Sequence, residues 1–310
     1  MIDRKEPRRM VWILSVRCAR LALALMAAAS MPSISGCGAN KPGWASLDPN
    51  DWSNQRIADH PLVLDLAGPI SVDVGTFAGN VTIEADPDLT KGEVTIVREG
   101  LHGFGRSKEA KASLSDITAS VDLVAADTSR GQLGQTLRIR AETANAEPHF
   151  QRAHVYIKAP AIDGVFVATD DGNVTAKHVE GAMDIETSNG LVSVRTNLTL
   201  QRPVTIINSN GDIILRMRGE GSGAFDAQTI NGRVSADIRY GSVSVAAVTR
   251  DDLYQATLNK GTNKMVLRTT NGDIKIAVMD ENEEAVVMPS HHKNPKEEPL
   301  VAPAPATQPD

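Results

Sequence analysis

The chain has 310 residues and carries 32 lysines and arginines against 38 aspartates and glutamates, a formal charge of −6. That length holds one or two domains with a real core, and the acidic balance argues against nucleic acid or anionic lipid as a partner, since both need a basic face. Aromatic residues make up only 4%, so a core must be built from Val, Ile, Leu, Ala and Met.

Residues 1–36 read as an export signal. Arg4, Lys5, Arg8, Arg9, Arg17 and Arg20 precede an apolar run from Leu21 to Met31, too short to span a bilayer. Met10 is a second possible start. Ile34-Ser35-Gly36-Cys37 resembles the bacterial lipobox, which implies that Cys37 is diacylated on sulfur and becomes the new N-terminus. The rival is an ordinary secretory signal with an incidental cysteine. Several acyl chains on one residue give stable anchoring, because binding strengthens by about 0.8 kcal/mol per buried CH₂. Cleavage removes Cys18, which leaves no pair for a disulfide, and takes the formal charge from −6 to −10. Gly38 follows the cysteine where an aspartate does not, which by analogy with lipoprotein sorting in two-membrane bacteria implies the outer membrane.

Residues 37–60 are expected to form a tether, with Pro42, Gly43 and Pro49 breaking any regular structure. Trp44 and Trp52 lie in it; packing on the domain is favoured over contact with headgroups. An N-terminal β region is expected over 61–160. Leu62 to Leu66, Ile70 to Val74, Val81 to Ala85, Val94 to Arg98, Ile117 to Val124, Leu137 to Ala141 and Ala153 to Ile157 alternate or are β-branched. Residues 100–112 read as a mobile loop, since Gly103-Phe104-Gly105 lacks the Gly-Lys-Ser/Thr continuation of a phosphate cradle.

Residues 161–279 carry the pattern that organises the chain. Turns recur at Asp171-Gly172, Asn189-Gly190, Asn210-Gly211, Asn231-Gly232 and Asn271-Gly272. The glycines are spaced by 18, 21, 21 and 40 residues, and the last interval is close to two periods. Seven before each glycine stand Val165, Met183, Val204, Phe225 and Met265; two after stand Val174, Val192, Ile213, Val234 and Ile274. Three before, the residue is polar: Thr169, Thr187, Asn208, Thr229 and Thr269. A hidden coil fits the long interval, with Asp251-Asp252 at its turn and Val245, Ala247, Thr249, Tyr254 and Ala256 in the columns. Val72, Val74 and Thr76 before Gly79, with Val81 and Ile83 after it, repeat the same columns further upstream.

Apolar residues at every second position are the period of a strand with one buried face. Asn-Gly is also a hairpin signal, so an antiparallel meander is the structural rival. Like residues returning every twenty or so positions favour an all-β solenoid, in which each coil buries its face against its neighbours. About six C-terminal coils are expected.

Val155-Tyr156-Ile157-Lys158-Ala159-Pro160, Val165 to Asn173 and the repeated Asn-Gly turns resemble the bacterial "putative adhesin" family of β-strand-repeat domains of unknown function, over about residues 60–280. The resemblance implies a structural repeat and brings no active site with it.

After Met279 the composition turns acidic, then rich in Pro and Ala, so residues 280–310 are expected to form a disordered tail. His291-His292 lack further ligands for a metal.

No nucleophile–base pair or paired carboxylates stand out. His60, His102, His149, His154 and His178 are scattered, and His178 falls six after a glycine, in the column of Thr196, Met217, Ile238 and Val278. Asp170, Asp171 and Asn173 make a partial calcium site, to be completed by Asp212 or Asp273 if the coils bring them together. That sets the alternative, a polysaccharide-binding or lyase-like β-helix protein, with Ca²⁺ as its candidate ion. The favoured reading is a lipid-anchored cell-envelope protein, not an enzyme and without cofactor. It presents a β-repeat surface for adhesion, scaffolding or partner binding to an envelope protein or polysaccharide.

Overall fold

A computed structural model describes residues 54–280 except 104, 133 and 247–249. The signal segment, Cys37, most of the tether with Trp44 and Trp52, and the tail from 281 with His291-His292 lie outside the described residues.

The chain begins with β1 (Gln55–Ala58), β2 (Leu62–Leu64), β3 (Ile70–Thr76), β4 (Val81–Ala85) and β5 (Gly92–Gly100). A short helix α1 (Ser107–Ser113) precedes β6 (Ile117–Ala125), β7 (Gln135–Thr143) and β8 (Gln151–Ala159). The repeats supply β9 (Ile162–Asp171), β10 (Val174–Lys177), β11 (Glu180–Asn189), β12 (Val192–Arg195), β13 (Val204–Asn210) and β14 (Ile213–Arg218). They continue with β15 (Gly223–Asn231), β16 (Val234–Ile238), β17 (Val243–Val245), β18 (Leu253–Leu258), β19 (Lys264–Asn271) and β20 (Ile274–Met279).

Seven two-strand coils stack in parallel. One strand of each coil builds sheet I in the order β8-β4-β10-β12-β14-β20-β16, and its partner builds sheet II as β7-β3-β9-β11-β13-β19-β15. The columns read from the sequence are the observed register: Val174 pairs with Val81 and Val192, Ile213 with Val192 and Ile274, and Val234 with Ile274. Alternation puts Val174, Val192, Ile213 and Ile274 inside, each fully buried, while Thr175, Ser193, Ile214 and Lys275 stand on the outer face. Burying one such aliphatic side chain is worth roughly 1.5–3 kcal/mol, so the columns are the main source of cohesion. Strands from 61–160 and from 161–279 share both sheets and one core cluster.

The order of the coils differs from the order of the chain. The β3–β4 coil lies between the β7–β8 and β9–β10 coils, and the β19–β20 coil lies between β13–β14 and β15–β16. The long glycine interval therefore holds no hidden parallel coil. β18 runs antiparallel on β15, and β17 runs antiparallel on β18. The reason is local: Arg250 and Leu253 form an antiparallel bridge around Asp251-Asp252, and a tight turn can join only antiparallel strands. The Asp pair nonetheless sits next to the outermost corner, where the Asp251 and Asp252 carbonyls accept from the N–H groups of Val234 and Thr229. Val245, Tyr254 and Ala256 fall on the hairpin, and Ala247 and Thr249 lie outside the described residues.

At the other end, β5 pairs antiparallel with β8 and carries β1 and β2, while β6 pairs antiparallel with β7. The loop expected at 100–112 contains α1, whose Ala110 is buried against the end of β5. Gly100 permits that contact, because a Cβ there would lie 2.6 Å from the Ala110 carbonyl oxygen.

Both out-of-sequence coils are tied to an outer neighbour by the same Arg–Asp clamp. Arg140 of β7 donates to the Asp73 carboxylate at 3.0 Å and to the Asp73 carbonyl at 2.9 Å. Arg268 of β19 donates to the carboxylate and the carbonyl of Asp226 on β15. Burial alone would raise the Asp226 carboxyl, but hydrogen bonds from Arg268 and Gln255 and the guanidinium charge hold it below its ordinary value of 3.8. A lowered folded-state value means stability that is present above the unfolded value and lost as the pH falls through the folded one. Asp226→Asn should therefore be less stable than the native chain at neutral pH. In thermal unfolding the two should converge once the pH has fallen below 3.8 and through the lowered value.

Candidate functional site

Each coil turns at two corners, and the glycine corner is a set of three ladders along the stack. Gly172, Gly190, Gly211, Gly272 and Gly232 each lie against the carbonyl of the preceding coil's glycine, with room for no Cβ. Immediately before the glycines, asparagine amides bond to one another: Asn210 to Asn189 at 3.0 Å, Asn271 to Asn210 at 2.7 Å and Asn231 to Asn271 at 2.8 Å. Three before, Asn208, Thr269 and Thr229 donate to the glycine carbonyls of Gly190, Gly211 and Gly272.

The third ladder decides the fate of the calcium candidates. Directly after the glycine, one coil's side chain accepts from the next coil's backbone N–H: Asn80 from Asn173, Asn173 from Leu191, Asp212 from Asp273 and Asp273 from Arg233. Asn173, Asp212 and Asp273 do share one column, as the calcium reading required, but Leu191 separates Asn173 from the two aspartates. Asp171 belongs to the column before the glycine, and the Asp170 carbonyl accepts from Asn189. Among the described residues no group of three His, Cys, Asp or Glu is placed to hold a metal ion. These oxygens are engaged by backbone N–H groups of the adjoining coils.

The same ladder explains His154. It takes the post-glycine position on β8, and its Nδ1 accepts the Asn80 N–H at 3.0 Å. That fixes the tautomer: the proton sits on Nε2 and is donated to Glu99 Oε2 at 2.9 Å. His154 and Glu99 are 4% and 6% exposed, and Arg56 approaches the other Glu99 oxygen at 3.3 Å. In the sequence His154 is one of several scattered histidines, since its coil has Ala153 where the others have glycine.

The opposite corner carries a cleft of about 530 Å³, lined by Glu84, Asp86, Pro160, His178, Glu180 and Asn197 among others. His178 does not follow its column. Met217 and Val278 are buried there, whereas His178 has φ +53°, stands exposed and has Nδ1 3.0 Å from Asn197 Oδ1. The cleft opens beside the outer face of sheet I, which is ruled into two rows. One is hydroxyl-rich: Tyr156, Thr82, Thr175 and Ser193 in successive strands. The other, two residues further on, runs Lys158, Glu84, Lys177, Arg195, Arg216.

The geometry defines a class: an all-β solenoid of parallel coils with antiparallel end strands. Residues 71–277 match the Toastrack DUF4097 family, and the chain belongs to that family. Two solved structures are similar to it at 11% identity. One, described as a "putative cell adhesion protein" from Clostridium sporogenes, covers 73% of this chain and 100% of its own with a TM-score of 0.49. The other, described as a "putative adhesin" from Bacteroides fragilis, covers 74% of this chain and 99% of its own with a TM-score of 0.31. No curated protein matches.

Proposed function

We propose that this chain is a lipid-anchored cell-envelope protein that works by presenting the outer faces of its coils to a macromolecular partner, without catalysis. The observation that carries this reading is the register. Seven coils repeat their outward side chains in rows, with successive strands about 4.8 Å apart, and the polar groups at the glycine corner are engaged in holding the coils together. What remains for contact is a flat, ordered surface of hydroxyl and charged side chains. The anchor is Cys37, supported by the basic region, apolar run and small residues before it, and Gly38 favours the outer membrane.

Metabolic labelling with a clickable fatty acid tests the anchor. The native chain should be labelled and fractionate with membranes, and Cys37→Ser should lose both properties; equal labelling of the variant overturns the assignment. Incubation of the purified body with acidic polysaccharides and Ca²⁺ tests the rest. No unsaturated sugar ends are expected, and their accumulation in proportion to protein would replace a binding role with a lyase.

A further inference from the structure

The row Lys158, Glu84, Lys177, Arg195, Arg216 breaks a rule the other outer rows obey. Opposite charges on neighbouring strands attract and like charges directly opposite repel, and the row begins in the favourable way. Glu84 lies 3.9 Å from both Lys158 and Lys177, and Glu93 on β5 pairs with Lys158. Beyond Glu84 the alternation stops. Lys177, Arg195 and Arg216 are direct register partners on β10, β12 and β14, three cations on strands about 4.8 Å apart. No acidic residue stands between them. The next position in the row is Ala277, and Asp237 beyond it is paired with Arg239 at 3.0 Å. Arg195, the middle cation, is exposed, and its guanidinium has no ion-pair or hydrogen-bond partner among the described residues, although its carbonyl accepts from the His178 N–H.

Two neighbouring features make this row a site rather than a chance run of charge. The parallel row offers the half-buried hydroxyls of Thr82 and Thr175 alongside it, with Tyr156 at its end, 37% exposed; Ser193 continues the row but is itself buried. Alternating strand geometry makes all these side chains project from the same face of one sheet. Cations at a strand's spacing, flanked by hydroxyls and one aromatic ring, complement a linear chain that carries an acid on its sugar units and hydroxyls between them. We propose that this face of sheet I binds a linear polyanionic glycan lying along the stack axis, with Arg195 at the centre of the contact and Lys177 and Arg216 on either side. This rests on the non-catalytic binding role and gives it a ligand class.

The probe is polygalacturonate, with neutral dextran as control, and binding is read by affinity electrophoresis and by the shift in thermal midpoint. The native chain should bind polygalacturonate and not dextran, and salt should weaken binding, as it does for exposed charges. Arg195→Gln should weaken it about tenfold, as truncating a contact charge does, and Lys177→Gln with Arg216→Gln should abolish it. Lys264→Gln, an exposed cation on sheet II, should leave it unchanged. Without ligand, Arg195→Gln should melt no lower than the native chain, because it relieves repulsion. Absence of binding, equal loss in Lys264→Gln, unaltered binding by Arg195→Gln, or a lower midpoint in that variant would each overturn the site. None of these results touches the acylation of Cys37 or the absence of lyase products, so the wider reading stands or falls separately.

Discussion

Gly211→Ala is expected to destabilise the body by about 2–5 kcal/mol, the sum of a backbone penalty of about 1–2 kcal/mol at positive φ and an overpacking penalty of about 1–3 kcal/mol. Gly211 has φ +139°, and an added Cβ would lie 2.0 Å from the Gly190 carbonyl oxygen, which cannot yield because it is backbone. That carbonyl also accepts from the Asn208 side chain at 2.7 Å, so pushing it aside disturbs a second ladder. Two further variants separate the causes. Gly232→Ala meets the Gly272 oxygen at 2.0 Å without a left-handed backbone, and should be costly by contact alone. Gly68→Ala has φ +156° and nothing within 4 Å, and should cost the backbone penalty alone, about 1–2 kcal/mol. Urea midpoints measure all three; a Gly211 variant as stable as the Gly68 variant would show that the corners are not in close contact.

His154→Leu is expected to cost at least about 2 kcal/mol, since the Asn80 N–H and the Glu99 carboxyl each lose a hydrogen-bond partner at about 1–3 kcal/mol apiece. The leucine fills the volume but cannot accept the Asn80 N–H, and it leaves Glu99, 6% exposed, with only Arg56 beside it. A double variant, His154→Leu with Glu99→Leu, should recover much of the loss, because the buried carboxylate is gone too. Denaturant unfolding of the singles and the double gives the coupling directly, and additive losses would mean that the two side chains do not interact.

The columns of the fold were legible because alternation and glycine spacing reflect contacts that every coil makes. Val174, Val192, Ile213, Ile274 and Val234 align in the sequence and align in space. The order of the coils was not legible, for the same reason. A column of interchangeable aliphatic residues fits equally well wherever its coil is inserted, so Ile274 satisfies Ile213 as readily as Val234 would. The 40-residue interval between Gly232 and Gly272 was the one signal of a detour, and Asp251-Asp252 mimicked a corner well enough to suggest a parallel coil. The ladder after the glycine was missed because its members are chemically unlike: His154, Asn80, Asn173, Asp212 and Asp273 share only an acceptor atom. The cations at 177, 195 and 216 lie some twenty residues apart in the sequence; their adjacency emerges only when the register of β10, β12 and β14 is known.

Insertion of the β19–β20 coil one place in from the end changes how the body would respond to force. Its last strand is hydrogen-bonded on both sides, to β14 and to β16, so a pull on the chain at Met279 does not peel a terminal strand away. It must draw a strand out from between two others, loading both ladders together. Shortening the protein before Lys264 likewise would not trim the stack but would cut a slot through it, with Ile213 and Val234 facing each other across the gap.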